Sequence, residues 1–248
     1  MRFDVVTLFP ELFAPFLSVG ITRRAFESGQ LDVQLSNPRD FAAGNYRRVD
    51  DRPFGGGPGM VMMAEPMAQA LAHIRSQRTD AGPVVLFSPI GKRLDHDDVQ
   101  RWAGSDGAIL LCGRYEGIDQ RFIDSHVNVQ ISLGDFVLSG GEVAAMALLD
   151  AVARLQPGVL SDPDSHHMDS FNPALDGLLD CPHYTRPEEW GGQRVPDVLL
   201  SGHHGQIERW RRDQRLQWTA KHRPDLLEAA RKAGRLTKLD EAVLALNF

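Results

Sequence analysis

Cysteine is almost missing from this chain: two in 248 residues, Cys112 and Cys181, too few for a disulfide framework. No stretch approaches the ~18 uninterrupted apolar residues that a membrane helix requires. Basic charge is not in excess either. The 27 Lys and Arg against 33 Asp and Glu leave a formal net charge of −6, which argues against a surface that grips nucleic acid everywhere, though not against local basic patches. The common phosphate fingerprints are also absent. Gly91-Lys92 is followed by Arg93 and lacks the earlier glycine of a P-loop, and no Gly-x-Gly-x-x-Gly opens a helix after the first strand. Met1–Pro10 carries Asp4 within its apolar run and a proline straight after it, so it reads as a strand and not as a signal peptide. These absences argue against a disulfide-stapled domain, a protein with membrane-spanning helices, a P-loop NTPase and the common Rossmann-type dehydrogenases and methyltransferases. They leave a cytoplasmic protein with no membrane partner as the expectation.

Hydrophobic residues at 42% are enough for a real core. Apolar, β-branched runs predict strands at Phe3–Phe9, Leu31–Leu35, Val84–Phe87, Ala108–Cys112 and Val127–Ile131. Helical patterns fall over Glu11–Ser28 and Pro66–Arg78, and helical or loop stretches separate the last three strands. That alternation predicts an α/β fold with a parallel sheet. Polar, aperiodic Ser161–Ser170 follows, and helical periodicity resumes over His204–Trp218, Leu226–Ala233 and Leu239–Leu246. The expected domains are 1–160, a flexible linker over 161–172, and a small helical domain over 173–248.

The most informative residues are two glycine-rich loops placed where strands end. They are Cys112-Gly-Arg-Tyr-Glu-Gly-Ile-Asp119 and Ser132-Leu-Gly-Asp-Phe-Val-Leu-Ser-Gly-Gly-Glu142. Glycine lets a backbone approach a ligand closely, and ligands of open α/β sheets sit outside the carboxyl ends of the strands. One cleft built from the loops after Phe87, Cys112 and Ile131 is the economical reading. Ser139-Gly-Gly-Glu142 has capping-box spacing, and it opens a run, Val143–Ala153, that is apolar nearly all round and so belongs in a core or a subunit interface.

These loops resemble the signature loops of the bacterial tRNA (guanine-N1)-methyltransferases, members of the knotted SPOUT superfamily. The resemblance extends through Met1–Pro10, Phe54-Gly-Gly-Gly-Pro-Gly-Met-Val-Met62, Ser88–Arg93, Leu178-Leu-Asp-Cys-Pro-His-Tyr-Thr-Arg-Pro187 and Val198-Leu-Leu-Ser-Gly202. Departures are small: Phe136 stands for a tyrosine, Ser139 for a threonine and His203 for an asparagine. The resemblance implies a parallel sheet with a deep trefoil knot, S-adenosylmethionine as methyl donor, and tRNA as substrate, methylated at N1 of the guanine just 3′ of the anticodon. The donor is expected against Leu86, Ser88, Pro89, Gly113, Tyr115, Glu116, Gly117, Ser132, Leu133, Gly134, Asp135, Phe136, Val137, Leu138, Gly140 and Gly141.

Guanine N1 carries a proton that must leave before it can attack, so a general base is required. The resemblance assigns that role to Asp169 and makes Arg154 its partner. Read from the residues alone, Asp169 is a solvated linker carboxylate and Arg154 a favourable charge at a helix C-terminus. Glu116 is a candidate for holding Mg²⁺ or for touching the donor's amino group. Gly59, in the loop over Arg52–Gly59, and Arg209, Arg212 and Arg215, in a helix that otherwise reads as a solvated amphipathic one, are candidate tRNA contacts. The resemblance also implies a homodimer with each active site formed between subunits.

Overall fold

Five short strands lie side by side in the first part of the chain. In the computed structural model, which describes residues 1–161 and 165–246, β1 (Arg2–Val6) is followed by a 3-10 turn at Pro10–Leu12 and the short helices α1 (Phe13–Ser18) and α2 (Arg23–Glu27). Then come β2 (Asp32–Ser36), a two-residue ladder of β3 (Asp50–Asp51) with β4 (Val61–Met62), and α3 (Ala64–Gln77). β5 (Val84–Arg93), α4 (His96–Ala103), β6 (Gly107–Leu111), α5 (Gln120–His126), β7 (Val129–Ser132) and α6 (Glu142–Arg154) complete this part. The main sheet has the order β2-β1-β6-β5-β7, and every pairing is parallel.

Alternation of side chains across the pleat explains the two cores. Phe3, Val5, Leu110, Val85 and Ile131 meet Ala145, Leu148, Leu149 and Val152 of α6 on one face. Val6, Ile109, Leu111, Val84 and Leu86 meet Met67, Ala70, Leu71 and Ile74 of α3 and Phe122 of α5 on the other. Strands covered on both faces need near-continuous apolar sequence, which is why the runs were legible. Asp4 is the exception. It is buried, and the guanidinium of Arg78, just past α3, donates to it at 2.6 Å while Arg2 donates at 2.8 Å.

Several predicted boundaries move; the strand expected to run to Phe9 already ends at Val6. The helix expected over Glu11–Ser28 splits into the 3-10 turn, α1 and α2, broken at Gly20 with φ +84°, a conformation that favours glycine. The strand expected to stop at Phe87 continues to Arg93. It leaves the ladder with β7 after Phe87↔Ile131 and rejoins it at Lys92↔Ile131. At Gly91 an added Cβ would lie 2.5 Å from the Ile131 amide nitrogen, so only glycine lets the excursion close.

The chain divides into two units, Met1–Ser161 and Asp162–Phe248. In the second, 3-10 turns at Ser165–Met168 and Pro173–Leu175 precede a small ladder, β8 (Glu189–Trp190) with β9 (Gln193–Arg194). Helices α7 (Asp197–Leu200), α8 (His204–His222), α9 (Pro224–Lys232) and α10 (Lys238–Leu246) follow. Leu178, Leu216, Leu227, Ala230 and Leu244 form its core. Residues 162–164 of the expected linker lie outside the described residues. Its later part is tied by Asn172, whose buried side chain donates to His166 O and accepts from the Ala174 amide, both at 2.9 Å. Among the described residues no helix is long and apolar enough to cross a membrane.

Candidate active site

The excursion within β5 and the loops that follow β6 and β7 meet at one edge of the sheet and surround a cleft of about 480 Å³, within the ~300–1,000 Å³ typical of small-molecule sites. Leu86, Ser88, Pro89, Gly113, Tyr115, Glu116, Gly117, Ser132, Leu133, Gly134, Phe136, Val137, Leu138, Gly140 and Gly141 all line it, as the sequence suggested. Asp135 does not. Its exposed carboxylate accepts from Arg93 at 2.9 Å instead. The loop after β7, which is the edge strand, crosses beyond the end of β5 to reach the centre of the sheet, where the Gly141 amide donates to Gly113 O at 3.0 Å. An added Cβ at Gly141 would stand 2.7 Å from Cys112 Cα, so glycine here is required by a backbone crossing. Among the described residues, the amides of Val137, Leu138 and Gly140 find no partner within the chain. They supply the backbone donors that a purine edge or a carboxylate requires.

The expected cap at Ser139 does not form. Gly141 is the N-cap residue of α6, and no side chain caps the helix. Glu142 is buried instead, 1% exposed. Thr7, just past β1, donates its hydroxyl to Glu142 Oε1 at 2.8 Å. Arg114 donates Nε to Glu142 at 3.1 Å and Nη1 to Ser139 O at 3.2 Å. The same guanidinium lies 4.5 Å over the Phe9 ring. A buried carboxylate is tolerated only when paired and hydrogen-bonded, and its place in the first turn of a helix adds a favourable dipole term. The network therefore binds the ends of β1 and β6 and the loop before α6 into one unit. Sequence reasoning missed Thr7 and Arg114. The available signals were a glutamate opening an apolar helix and an arginine inside a glycine loop.

Gly59 reaches the same rim. It adopts φ +78°, and an added Cβ would collide with the Glu116 carboxylate. The Glu116 amide donates to Met60 O at 2.9 Å, which fastens the Arg52–Gly59 loop to the β6–α5 loop. Among the described residues no three His, Cys, Asp or Glu gather where they could share a metal ion. Cys112 is fully buried at the end of β6, and that burial pushes its thiol well above the usual range.

Arg154 is the last residue of α6 and half-buried. Asp169, also half-buried, follows the 3-10 turn of the second unit, with its amide donating to His166 O at 3.4 Å. The arginines of α8 are largely engaged by the fold itself. Arg209 pairs with Asp213 and Asp240, and Arg212 pairs with Asp176 at 2.7 Å and Asp240 at 3.1 Å. Arg215 is buried, bonding Glu208 at 3.3 Å and Asp180 at 3.4 Å. A phosphate reaching Arg215 would have to displace two carboxylates. His203 does for α8 what an asparagine would: its Nδ1 accepts from the Gln206 amide at 3.3 Å.

Comparison with known proteins points the same way as the geometry. Residues 1–229 match the family described as tRNA (Guanine-1)-methyltransferase TrmD. A tRNA (guanine-N(1)-)-methyltransferase of Albidiferax ferrireducens is 76% identical, with 99% of each chain covered. The protein of that name from Paracidovorax citrulli is 73% identical over 99% of this chain and 98% of its own. The one from Bordetella parapertussis is 57% identical over 99% and 97%. With the match running through both glycine loops and on into the helical unit, the chain belongs to the tRNA (guanine-N1)-methyltransferase family.

Proposed function

We propose that this chain transfers the methyl group of S-adenosylmethionine to N1 of the guanosine immediately 3′ of the anticodon, nucleotide 37 of tRNA, and so supports reading-frame maintenance in translation. The observation that carries the proposal is the cleft between the excursion within β5 and the loops after β6 and β7, walled by backbone and apolar side chains, in a member of this family. The unpartnered amides of Val137, Leu138 and Gly140 suit the polar edges of the donor, and Leu86, Ile118 and Leu138 suit its adenine faces. When bound there, S-adenosylmethionine supplies a methyl group activated by a sulfonium.

The chain's own task is to prepare the acceptor. A base in an anticodon loop must leave its stack before chemistry. The Asp169 carboxylate takes the N1 proton, which frees the N1 lone pair for the methyl carbon. Arg154 offsets the negative charge that gathers on guanine O6 as the proton leaves. Glu116, a single carboxylate against Gly59, does not make a magnesium site by itself, and no step here runs through a metal.

A homodimer with a composite site fits the length of α6. Arg154 stands twelve residues beyond Glu142, roughly 18 Å along the helix at 1.5 Å per residue, so it does not reach the donor loop of its own protomer. A second copy supplies it. Val137 in the cleft wall at 87% and Val143 in the first turn of α6 at 59% exposed leave apolar surface for that copy to cover. The helical unit serves as the tRNA-binding domain, and the enzyme works in the cytoplasm, where its substrate is.

The decisive experiment is methyl transfer from labelled S-adenosylmethionine to unmodified tRNA transcripts with and without guanine at nucleotide 37. Label should enter only the first, at N1. Asp169→Asn should abolish transfer while leaving donor affinity within about twofold of wild type. Equal labelling of both transcripts removes the position, and turnover at the wild-type rate in the variant removes Asp169 as the base.

A further inference from the structure

Two motifs that carried the family resemblance, Leu178–Pro187 and Val198–Gly202, take no part in the methyl-donor cleft. The structure brings them together. Both contribute walls to a second cavity, about 670 Å³, that lies wholly within the helical unit against the first half of α8. From these observations we infer that this cavity is a nucleobase subsite, one that receives an unpaired base of the RNA substrate. The inference rests on tRNA being the substrate, as proposed above.

Three features point to a base with its phosphate. The first is aromatic surface. Tyr184, 50% exposed, and Trp210 line the cavity with ring centroids 6.2 Å apart and planes tilted by 59°. Tilted rings do not cover one another's faces, so π-surface is left for a third ring. Every base has a π-face, and aromatic side chains in RNA-binding proteins use it. The second is an uncommitted cation. Arg186 lines the cavity, is exposed, and makes no hydrogen bond or ion pair among the described residues. The only carboxylate in the cavity wall, Glu188, is already taken by Arg194 at 2.7 Å. The third is the distribution of charge along α8. Arg209, Arg212 and Arg215 are held by aspartates and Glu208. Arg211, also in the cavity wall, has only a 3.9 Å approach to Glu208, which Arg215 already engages at 3.3 Å. The helix thus spends its other arginines on folding and presents Arg211 beside Trp210. Arg186 faces no acid among the described residues and Arg211 shares Glu208 with Arg215, so an RNA phosphate would find positive charge to pair with here.

The test uses the full chain and an unmodified anticodon stem-loop of the tRNA. Tyr184→Leu keeps apolar volume and removes the π-face. It should weaken RNA binding by roughly five- to 150-fold, the span set by one lost base–aromatic stack, while Tyr184→Phe stays near wild type and the affinity for S-adenosylmethionine is unchanged in both. Arg186→Gln should lower the steepness of the log affinity against log salt plot by about one contact. Ultraviolet crosslinking of the wild-type complex, which depends on no variant, should join a nucleotide to the peptide carrying Tyr184 or Trp210. The inference is overturned if Tyr184→Leu binds RNA as wild type does, or if crosslinks fall only elsewhere. It is likewise overturned if the variants change the oligomeric state in sedimentation while RNA affinity holds, which would make the cavity a protein contact. A wild-type chain that binds no tRNA removes the proposed function together with this subsite, whereas wild-type methyl transfer with indifferent variants removes the subsite alone.

Discussion

Replacing Glu142 by glutamine tests the claim that one buried ion pair holds the loops of the cleft together. The carboxylate is 1% exposed and receives the Thr7 hydroxyl at 2.8 Å and Arg114 Nε at 3.1 Å. Arg114 is itself 19% exposed, and its Nη1 bonds Ser139 O at 3.2 Å. Removing one charge of a buried pair costs about 3–5 kcal/mol when the other charge is stranded. Glutamine keeps one acceptor, and the partial exposure of Arg114 lets water reach it, so about 2 kcal/mol is the expected loss. The second consequence is local. Without the charge that fixes Arg114, the segment Ser139–Gly141 is held less firmly against the loop after β6, by the Gly141 amide and a less constrained Arg114, and affinity for S-adenosylmethionine should fall about tenfold. Arg114→Lys should reproduce part of both effects, because an ammonium cannot bond Glu142 and Ser139 O together as the guanidinium fork does. Urea unfolding of the N-terminal unit reports the first quantity and calorimetric titration of the donor the second. A double-mutant cycle of the two substitutions should show coupling of about 1 kcal/mol or more. Glu142→Gln within 0.5 kcal/mol of wild type (about the noise of such measurements) and with unchanged donor affinity would refute the reasoning.

Gly141→Ala tests the backbone crossing. With Cys112 Cα 2.7 Å from the added carbon, overpacking should cost about 1–3 kcal/mol and weaken donor binding, seen by the same two assays. Asp240 governs acid stability of the helical unit. Burial pushes its carboxyl up, but hydrogen bonds from Arg212 and Thr237 more than reverse this and hold it at about 2. A depressed carboxyl stabilises the fold above its ordinary value near 3.8. The contribution, about 2 kcal/mol, should therefore be lost as pH falls from about 4 to about 2, and Asp240→Asn should flatten that part of the unfolding profile. Burial raises both thiols, Cys112 strongly. Ellman's reagent should thus find no reactive thiol in the native protein and two after denaturation, and rapid native labelling would contradict the packing at the end of β6.

Much of the fold was legible because parallel strands covered on both faces must be written as apolar runs, as Val84–Leu86 and Ile109–Leu111 are throughout and Phe3–Val6 is but for Asp4. The cleft was legible for a related reason. Glycine clusters at strand ends mark where a backbone can approach a ligand, and of the sixteen residues that the family resemblance implies, fifteen line the cleft. Errors came where a local rule was overruled by a distant partner. The capping spacing at Ser139–Glu142 was sound, yet Thr7, 135 residues away, and Arg114, 28 residues away, offered the carboxylate stronger bonds. Ser88 and Pro89 looked like the end of a strand, yet β5 resumes beside β7 because Gly91 lets two backbones nearly touch.

The sequence by itself determined the class of fold, the family and the loops that form the cleft, since periodicity, glycine placement and the family's motifs are local properties carried by neighbouring residues. Tertiary structure alone decided how charge is used. Arg209, Arg212 and Arg215 look like an RNA-gripping face in sequence, but folding brings Asp176, Asp180 and Asp240 against them. Arg186, isolated in the chain, lines a cavity beside Tyr184 and Trp210 and has no acidic partner among the described residues. Coulomb interactions depend on distance in space, and no pattern along a chain records which carboxylate will arrive at which arginine.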